Sequence, residues 1–162
     1  DPEAAWNVKT ASDGKTKTTY GFKGHANVDE DGFIKAFEFT AGNVHDSNVF
    51  TELLGDTDSA AYADAAYASA KHDAELEARH IENRIMKRAY RNTPLTAEQK
   101  AFNRLHAGTR STVERVFGVL KQHYRAGKAR YIGLKRNTTR FGLMCIAHNV
   151  KRGFNLLNTS VA

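Results

Sequence analysis

Alternating apolar and polar runs near the start of the chain, helical patterns through the rest, and an apolar content of 41% predict an α/β layer fold, strands first and helices packed on the sheet. With 162 residues the chain suits one domain, long enough to bury a core. It holds no repeats, low-complexity tracts or linker-like stretches that would divide it.

The elements follow in order. Tyr20, Phe22, Gly24, Ala26 and Val28 alternate with Gly21, Lys23, His25 and Asn27, the period of a half-buried strand. Asp29-Glu-Asp-Gly32 makes a turn into a second strand, Phe33 to Thr40, so the pair forms a hairpin. Asp46 and Ser47 cap a short helix running through Leu54 and ended by Gly55. Ser59 to Asp64 reads as a short strand that delivers Asp64 at its end, Ala68 to Arg79 as a helix, and Asn83 to Arg88 as a further strand. Thr96-Ala-Glu-Gln99 is a capping box opening a long helix to about Tyr124, and Thr138 to Leu157 is a final apolar-rich helix.

No run approaches the roughly 20 apolar residues of a membrane span, and Asp1-Pro2-Glu3-Ala4 has none of the features of a signal peptide. The single cysteine, Cys145, lies in the apolar run Phe141 to Ala147 and reads as a buried structural thiol of a reducing compartment. The net charge of +6 hides an asymmetry: residues 1–78 carry 6 Lys/Arg against 15 Asp/Glu, and residues 79–162 carry 18 against 3. Such one-sided positive charge is the footprint of a partner with a phosphate backbone, so nucleic acid is the expected partner.

The long helix carries the most informative stretch, Arg110-Ser-Thr-Val-Glu114-Arg-Val-Phe-Gly-Val-Leu-Lys121. At about 100° per residue, Glu114 lies about 40° from Arg110 and Lys121 returns to within about 20° of Glu114. All three heads line one strip, beside an apolar stripe of Phe102, Leu105, Val113, Val116, Phe117 and Leu120. A carboxylate between two cations can hold a metal ion while its neighbours hold phosphate. Spacing alone equally fits a surface ion pair between Arg110 and Glu114. Asp64 at a strand end adds a second hard oxygen ligand, which suits Mg²⁺. Two protein carboxylates are few for two ions, so a third is expected.

Tyr62-Ala-Asp64-Ala-Ala-Tyr67 resembles the motif around the second catalytic aspartate of insertion-sequence DDE transposases. Arg110, Glu114 and Lys121 match the Arg, Glu and Lys of that family's Tyr-Arg-Glu-Lys signature. Tyr20 to His25, Thr40 to Ser47 and Tyr131 to Asn137 are similar to intervening segments, nearest the insertion-sequence-five group. Ala107 stands where the signature has tyrosine.

The resemblance implies an RNase H-like catalytic domain, a mixed sheet flanked by helices, over residues 1–162, with the hairpin as its second and third strands. The first strand and its aspartate, with the DNA-recognition segment, are expected to precede residue 1. It implies Asp64 and Glu114 as catalytic metal ligands for two Mg²⁺ or Mn²⁺ ions, and Arg110 and Lys121 as phosphate-positioning groups. It further implies cleavage of transposon ends by water to free a 3′ hydroxyl, which then attacks target DNA. A prokaryotic cytoplasmic, nucleoid-associated protein is expected, with a homodimer as one form of its synaptic complex and without membrane contact. The alternatives are an inactive remnant that only binds DNA, and an RNase H-like nuclease. Within the chain, Asp29 reads as a turn residue rather than the first aspartate. His25 and His45 read as hydrogen-bonded structural groups, His106, His123 and His148 show no zinc spacing, and Trp6 reads as packing.

Overall fold

The computed structural model describes residues 1–10, 14–90 and 93–159, with Arg110 described by its backbone alone. The expected hairpin is present as β2 (Thr16–Val28) and β3 (Ile34–Ala41), paired antiparallel from Phe22↔Ala41 to Val28↔Ile34. Its turn is built by Asp29, whose Oδ1 accepts from Phe33 N at 2.8 Å, and by Gly32 at φ 86°. Asp29 is thus engaged in the turn.

A strand that the sequence pattern does not announce, β1 (Ala5–Thr10), pairs with the N-terminal half of β2, from Ala5↔Gly21 to Thr10↔Thr16. A Cβ on Gly42 would lie 2.7 Å from Ala5 O and 2.9 Å from Gly21 O, so β1 and the end of β3 meet beside Gly21. The β1 side chains are mostly exposed, so alternation there carries no burial signal. Trp6 is 63% exposed and stacks on Tyr20 at 5.1 Å between ring centroids; its packing is local rather than part of the core.

The chain continues through a 3-10 turn (Asp46–Val49), α1 (Phe50–Leu53), β4 (Ala60–Ala61), a second 3-10 turn (Ala65–Tyr67) and α2 (Ala70–Ala78). It ends with β5 (Glu82–Asn83), α3 (Ala97–His123) and α4 (Leu134–Thr159). In place of one helix capped by Asp46 and Ser47, the 3-10 turn leads into α1, and His45 is the cap. The strands expected over 59–64 and 83–88 shrink to two residues each, β4 and β5, paired in parallel. Arg84 N donating to Ala61 O at 3.0 Å and Met86 N to Ala63 O at 3.1 Å prolong that pairing. The described strands form two ladders, β1-β2-β3 antiparallel and β4-β5 parallel.

Two apolar cores hold these parts. Ile34, Val116, Leu120, Phe141, Met144 and Cys145 form the first, where α3 and α4 cover the hairpin. Phe50, Ala61, Leu76, Ile81 and Ile85 form the second, around the parallel pair. Close approach of α4 to the sheet depends on two glycines. A Cβ on Gly24 would meet the Phe141 ring at 2.7 Å, and one on Gly142 the Phe37 ring at 2.8 Å. Asn149 then fixes the register by bonding both Ile34 N and Ile34 O at 2.9 Å. Cys145 is buried, and burial pushes its thiol up to about 11, as a structural role requires.

The capping box of α3 forms as expected, with Thr96 and Gln99 satisfying each other's backbone N–H. The apolar stripe is corrected at Leu105, which is 76% exposed, whereas Val116 and Leu120 are buried. Replacing Leu120 by Ala is expected to destabilise the chain by about 2–5 kcal/mol, the usual cost of a cavity at a fully buried leucine. Leu105→Ala should change stability by less than about 0.5 kcal/mol. Urea unfolding of both variants checks the contrast.

Candidate active site

Asp64 stands three residues beyond β4, exposed, as the cap of the 3-10 turn Ala65–Tyr67. Its Oδ1 accepts from Ala65 N at 2.8 Å and its carbonyl from Tyr67 N at 2.9 Å, which holds the carboxylate at the mouth of the turn. Tyr67 packs on Phe50 at 5.5 Å. Its phenol is pushed up to about 12, first by burial and then by the charges of Asp46 and Asp64. Both carboxylates therefore act on one side chain, and they disfavour a third negative charge there.

Asp46 is held from β2. Lys23 Nζ lies 3.2 Å and His25 Nδ1 3.4 Å from Asp46 Oδ1. Lys23 also donates to Val44 O at 2.7 Å, and His25 Nε2 pairs with Thr40 Oγ1 at 3.0 Å. His25 is buried, and desolvation lowers its pKa, opposed by Asp46 and reinforced by Lys23. A second buried histidine, His72 on α2, joins the neighbouring turns. Its Nδ1 lies 2.6 Å from the Tyr67 carbonyl and its Nε2 3.1 Å from the Ser47 carbonyl, while its ring stacks on Phe50 at 4.5 Å. His45 does the local capping, with Nδ1 2.7 Å from Ser47 Oγ.

Glu114 and Lys121 lie exposed on α3. Arg110 lies in the same helix, and its side chain is outside the described residues. The first half of α3 is fastened beside the segment between β4 and the Asp64 turn. The His106 ring meets Tyr62, two residues before Asp64, edge-on at 5.5 Å. Asn103 bonds Lys87 N at 2.8 Å and Lys87 O at 2.9 Å. Glu114 follows His106 by eight residues, about 12 Å along the helix. These contacts join the elements that carry Asp64 and Glu114 through their neighbours. Among the described residues no group of three or more His, Cys, Asp or Glu side chains is gathered to hold a metal ion. As donors, Asp64 and Glu114 suit a hard divalent ion: both are carboxylates, both are exposed to a water-rich surface, and such ions keep several waters.

Positive charge lines the far side of α3. A cavity of about 170 Å³ between α3 and α4 is bordered by Arg115, His123, Lys151 and Arg152. Another, of about 460 Å³, is bordered by Tyr124, Tyr131, Arg136 and Arg140. Arg140 donates to the carbonyls of Lys128 and Arg125, both at 3.1 Å, and so folds the basic loop onto α4.

Two exposed carboxylates, one capping a turn and one on a long helix, stand on a mixed α/β frame, and the comparisons give the family. The model of the transposase DDE domain matches residues 2–150, and the chain belongs to that family of insertion-sequence transposases. It is 31% identical over 140 residues to a transposase for insertion sequence element IS1106 from Neisseria meningitidis serogroup B, a match covering 85% of this chain and 49% of the relative. The chain thus spans about half the length of the curated relative it matches. No solved structure matches it. Domains of this family generally use divalent metal ions. Among the described residues, no helix is long and apolar enough to cross a membrane.

Sequence reading missed His72, and it read Asp46 only as a cap. A histidine inside a helix gives no local sign that its two ring nitrogens meet two loops, one of them 25 residues away.

The lowered pKa of His25 has a signed consequence. The folded chain takes up that proton less readily than the unfolded chain, whose histidine keeps its ordinary value of 6.5. The stability His25 contributes is therefore complete above that value and is lost as pH falls below it. Urea unfolding between about pH 7 and pH 5 should show falling stability in the parent chain and a flatter dependence in His25→Gln.

Proposed function

We propose that this chain is the catalytic part of a DNA transposase that cleaves and joins DNA strands. The observation that carries this reading is the fastening of α3, which bears Glu114, to the segment that leads into the Asp64 turn, through Tyr62 and His106. Asp64 and Glu114 hold divalent ions, Mg²⁺ or Mn²⁺, in the working protein. Such ions stabilise the attacking and leaving oxygens of a phosphoryl transfer.

The protein's own groups do the rest. Lys121, one strip along α3 from Glu114, offers a point charge to a phosphate or strand end, and Arg110 does so by its place in the signature. The buried His72, through the Tyr67 carbonyl, helps to keep the turn around Asp64 in one arrangement, and the buried His25 holds Asp46 nearby. Arg115, Arg136, Arg140, Lys151 and Arg152 meet the DNA backbone, which positions the duplex without reading its sequence. A water first cleaves at the element's end, and the 3′ hydroxyl so freed attacks target DNA without a covalent protein intermediate.

On this reading the domain is RNase H-like. The protein acts in a bacterial cytoplasm, on the nucleoid.

In a polypeptide of the relative's length, Asp64→Asn and Glu114→Gln should each cut metal-dependent strand cleavage by more than about a hundredfold, since even a ligand's supporting group is worth ~10–100-fold. DNA binding should persist in both. Lys121→Ala should leave folding intact and reduce the salt slope of binding by about one unit. Full cleavage by either carboxylate variant in a gel assay would remove the assignment, whereas loss of binding together with cleavage would indicate misfolding.

A further inference from the structure

The segment from Tyr131 to Asn137, one of those similar to the insertion-sequence family, has no part in the metal-site reading. It supplies Tyr131 and Arg136 to the lining of the larger cavity, of about 460 Å³. Tyr124 enters from the end of α3, and Leu143 and Met144 from α4. The cavity is pre-formed, because two side chains of α4 fasten its aromatic residues. Asn137, 2% exposed, donates to the Tyr131 carbonyl at 2.7 Å and the Gly133 carbonyl at 2.8 Å. Its Oδ1 accepts from Arg130 N and Tyr131 N, both at 3.3 Å. One turn on, Arg140 donates to the carbonyls of Tyr124, Arg125 and Lys128. Asp1 and Glu3 accept from Gly133 N at 2.8 Å and Leu134 N at 2.9 Å, so these carboxylates are spent on the backbone where α4 starts. Tyr131, its backbone bonded on both sides, keeps its side chain 53% exposed.

The lining is of two kinds. Two tyrosine rings with Leu143 and Met144 offer apolar faces, and Arg136 and Arg140 offer charge. Residues 121–140 hold seven Lys or Arg and no Asp or Glu. A bare phosphate has no use for the apolar faces, and an apolar ligand none for the cations. A nucleotide uses both, its base stacking on an aromatic ring while its phosphate meets a cation. The volume lies within the about 300–1,000 Å³ of small-molecule sites, which admits one nucleotide and excludes a duplex. Leu143 also opens the exposed apolar row that α4 carries through Ile146, Val150 and Phe154 to Leu157, but those four do not line the cavity.

We infer that this cavity seats one unpaired base of a DNA strand, stacked on Tyr131, with its phosphate on Arg136. The inference deepens the reading of the chain as a protein that cleaves and joins DNA, and it rests on that reading. A base inside a duplex is hidden by its neighbours, so the base that enters is one that has left the stack. Tyr124 follows Glu114 by ten residues, about 15 Å along α3. The seat thus lies about four base steps, at about 3.4 Å each, from a strand held at Glu114. Every base has a face to stack, so the hold carries no sequence preference.

Three duplexes of one sequence test it: fully paired, with one extra base bulged from one strand, and with an abasic sugar in place of that base. The 162-residue chain should bind the base bulge about tenfold more tightly than either of the others, the usual size of one base–aromatic stack. Tyr131→Ala should bring the three affinities together, with its circular dichroism spectrum and its salt slope on the paired duplex unchanged. Tyr131→Phe should keep the preference. Ala147→Trp, which fills the cavity and leaves every charge in place, should abolish it.

Equal affinity for the base and abasic bulges overturns the proposal, since the bend and not the base is then recognised. So does a preference that survives both Tyr131→Ala and Ala147→Trp. It is equally overturned if a polypeptide of the relative's length lacks the preference that the 162-residue chain shows, because another part of the chain then fills the cavity. In each of these cases salt-sensitive binding to the paired duplex leaves the proposed function standing. Failure to bind any of the three duplexes at low salt removes that function, and the seat with it.

Discussion

A helix of 27 residues is a rigid strut, and α3 touches both halves of this molecule. Val116 and Leu120 are inserted in the core beneath the hairpin. Ten residues or more earlier, Asn103 and His106 grip Lys87 and Tyr62, beside the core around the parallel strands. The helix runs through both anchors, so its rise of about 1.5 Å per residue spaces the two cores. Glu114 lies in the stretch between them, eight residues from one grip and two from the other. A side chain there can face a groove without breaking a core contact. The helix that supplies the carboxylate is thus held by its ends, not by the carboxylate's own packing.

The turn that carries Asp64 is held by a different means. Strands β4 and β5 are two residues each, too short to position anything by ladder bonds alone. The deficit is met by side chains that bond to backbone. His72 joins the Tyr67 and Ser47 carbonyls, Asn27 reaches Leu53 O at 2.9 Å, and Lys23 reaches Val44 O. Each is a partly or fully buried polar group whose loss strands a carbonyl in a low-dielectric setting, which costs more than the bond itself contributes. The two histidines, the lysine and Asp46 therefore belong to the frame of the site, and their partners lie far away in sequence.

That distance explains what could be read in advance. The hairpin, the capping box of α3 and the last helix were legible because they depend on neighbours within a few residues: alternation, Thr96 with Gln99, a run of apolar positions. The family motifs, which single out Asp64 and Glu114, were legible because chemistry fixes residue type at fixed spacing. What was not legible depends on tertiary geometry. Strand β1 is exposed, so its alternation mimics a loop, and Leu105 continues the apolar period of α3 yet stays exposed. The strands over 59–64 and 83–88 look longer in sequence than they are, since Asp64 breaks the first to cap a turn and Asn83 bends the second by accepting from Ile85 N at 3.0 Å.

The final helix shows how composition can hide an unfinished surface. Read as a sequence, Phe141 to Leu157 is simply apolar, and that reading is satisfied by burial against a sheet. The structure divides the same residues into two sets, one packed and one not. The division is sharp because Gly24 and Gly142 let α4 settle close onto the hairpin and Asn149 fixes its rotation by bonding both sides of Ile34. A helix free to roll would spread its apolar residues between core and solvent. This one cannot roll, so every residue on its far side is committed to solvent or to another surface. Five large apolar side chains in one row have no reason to be there for solubility. The constraint that orders the inner face of α4 is what makes the outer face a defined surface rather than a scatter of exposed side chains.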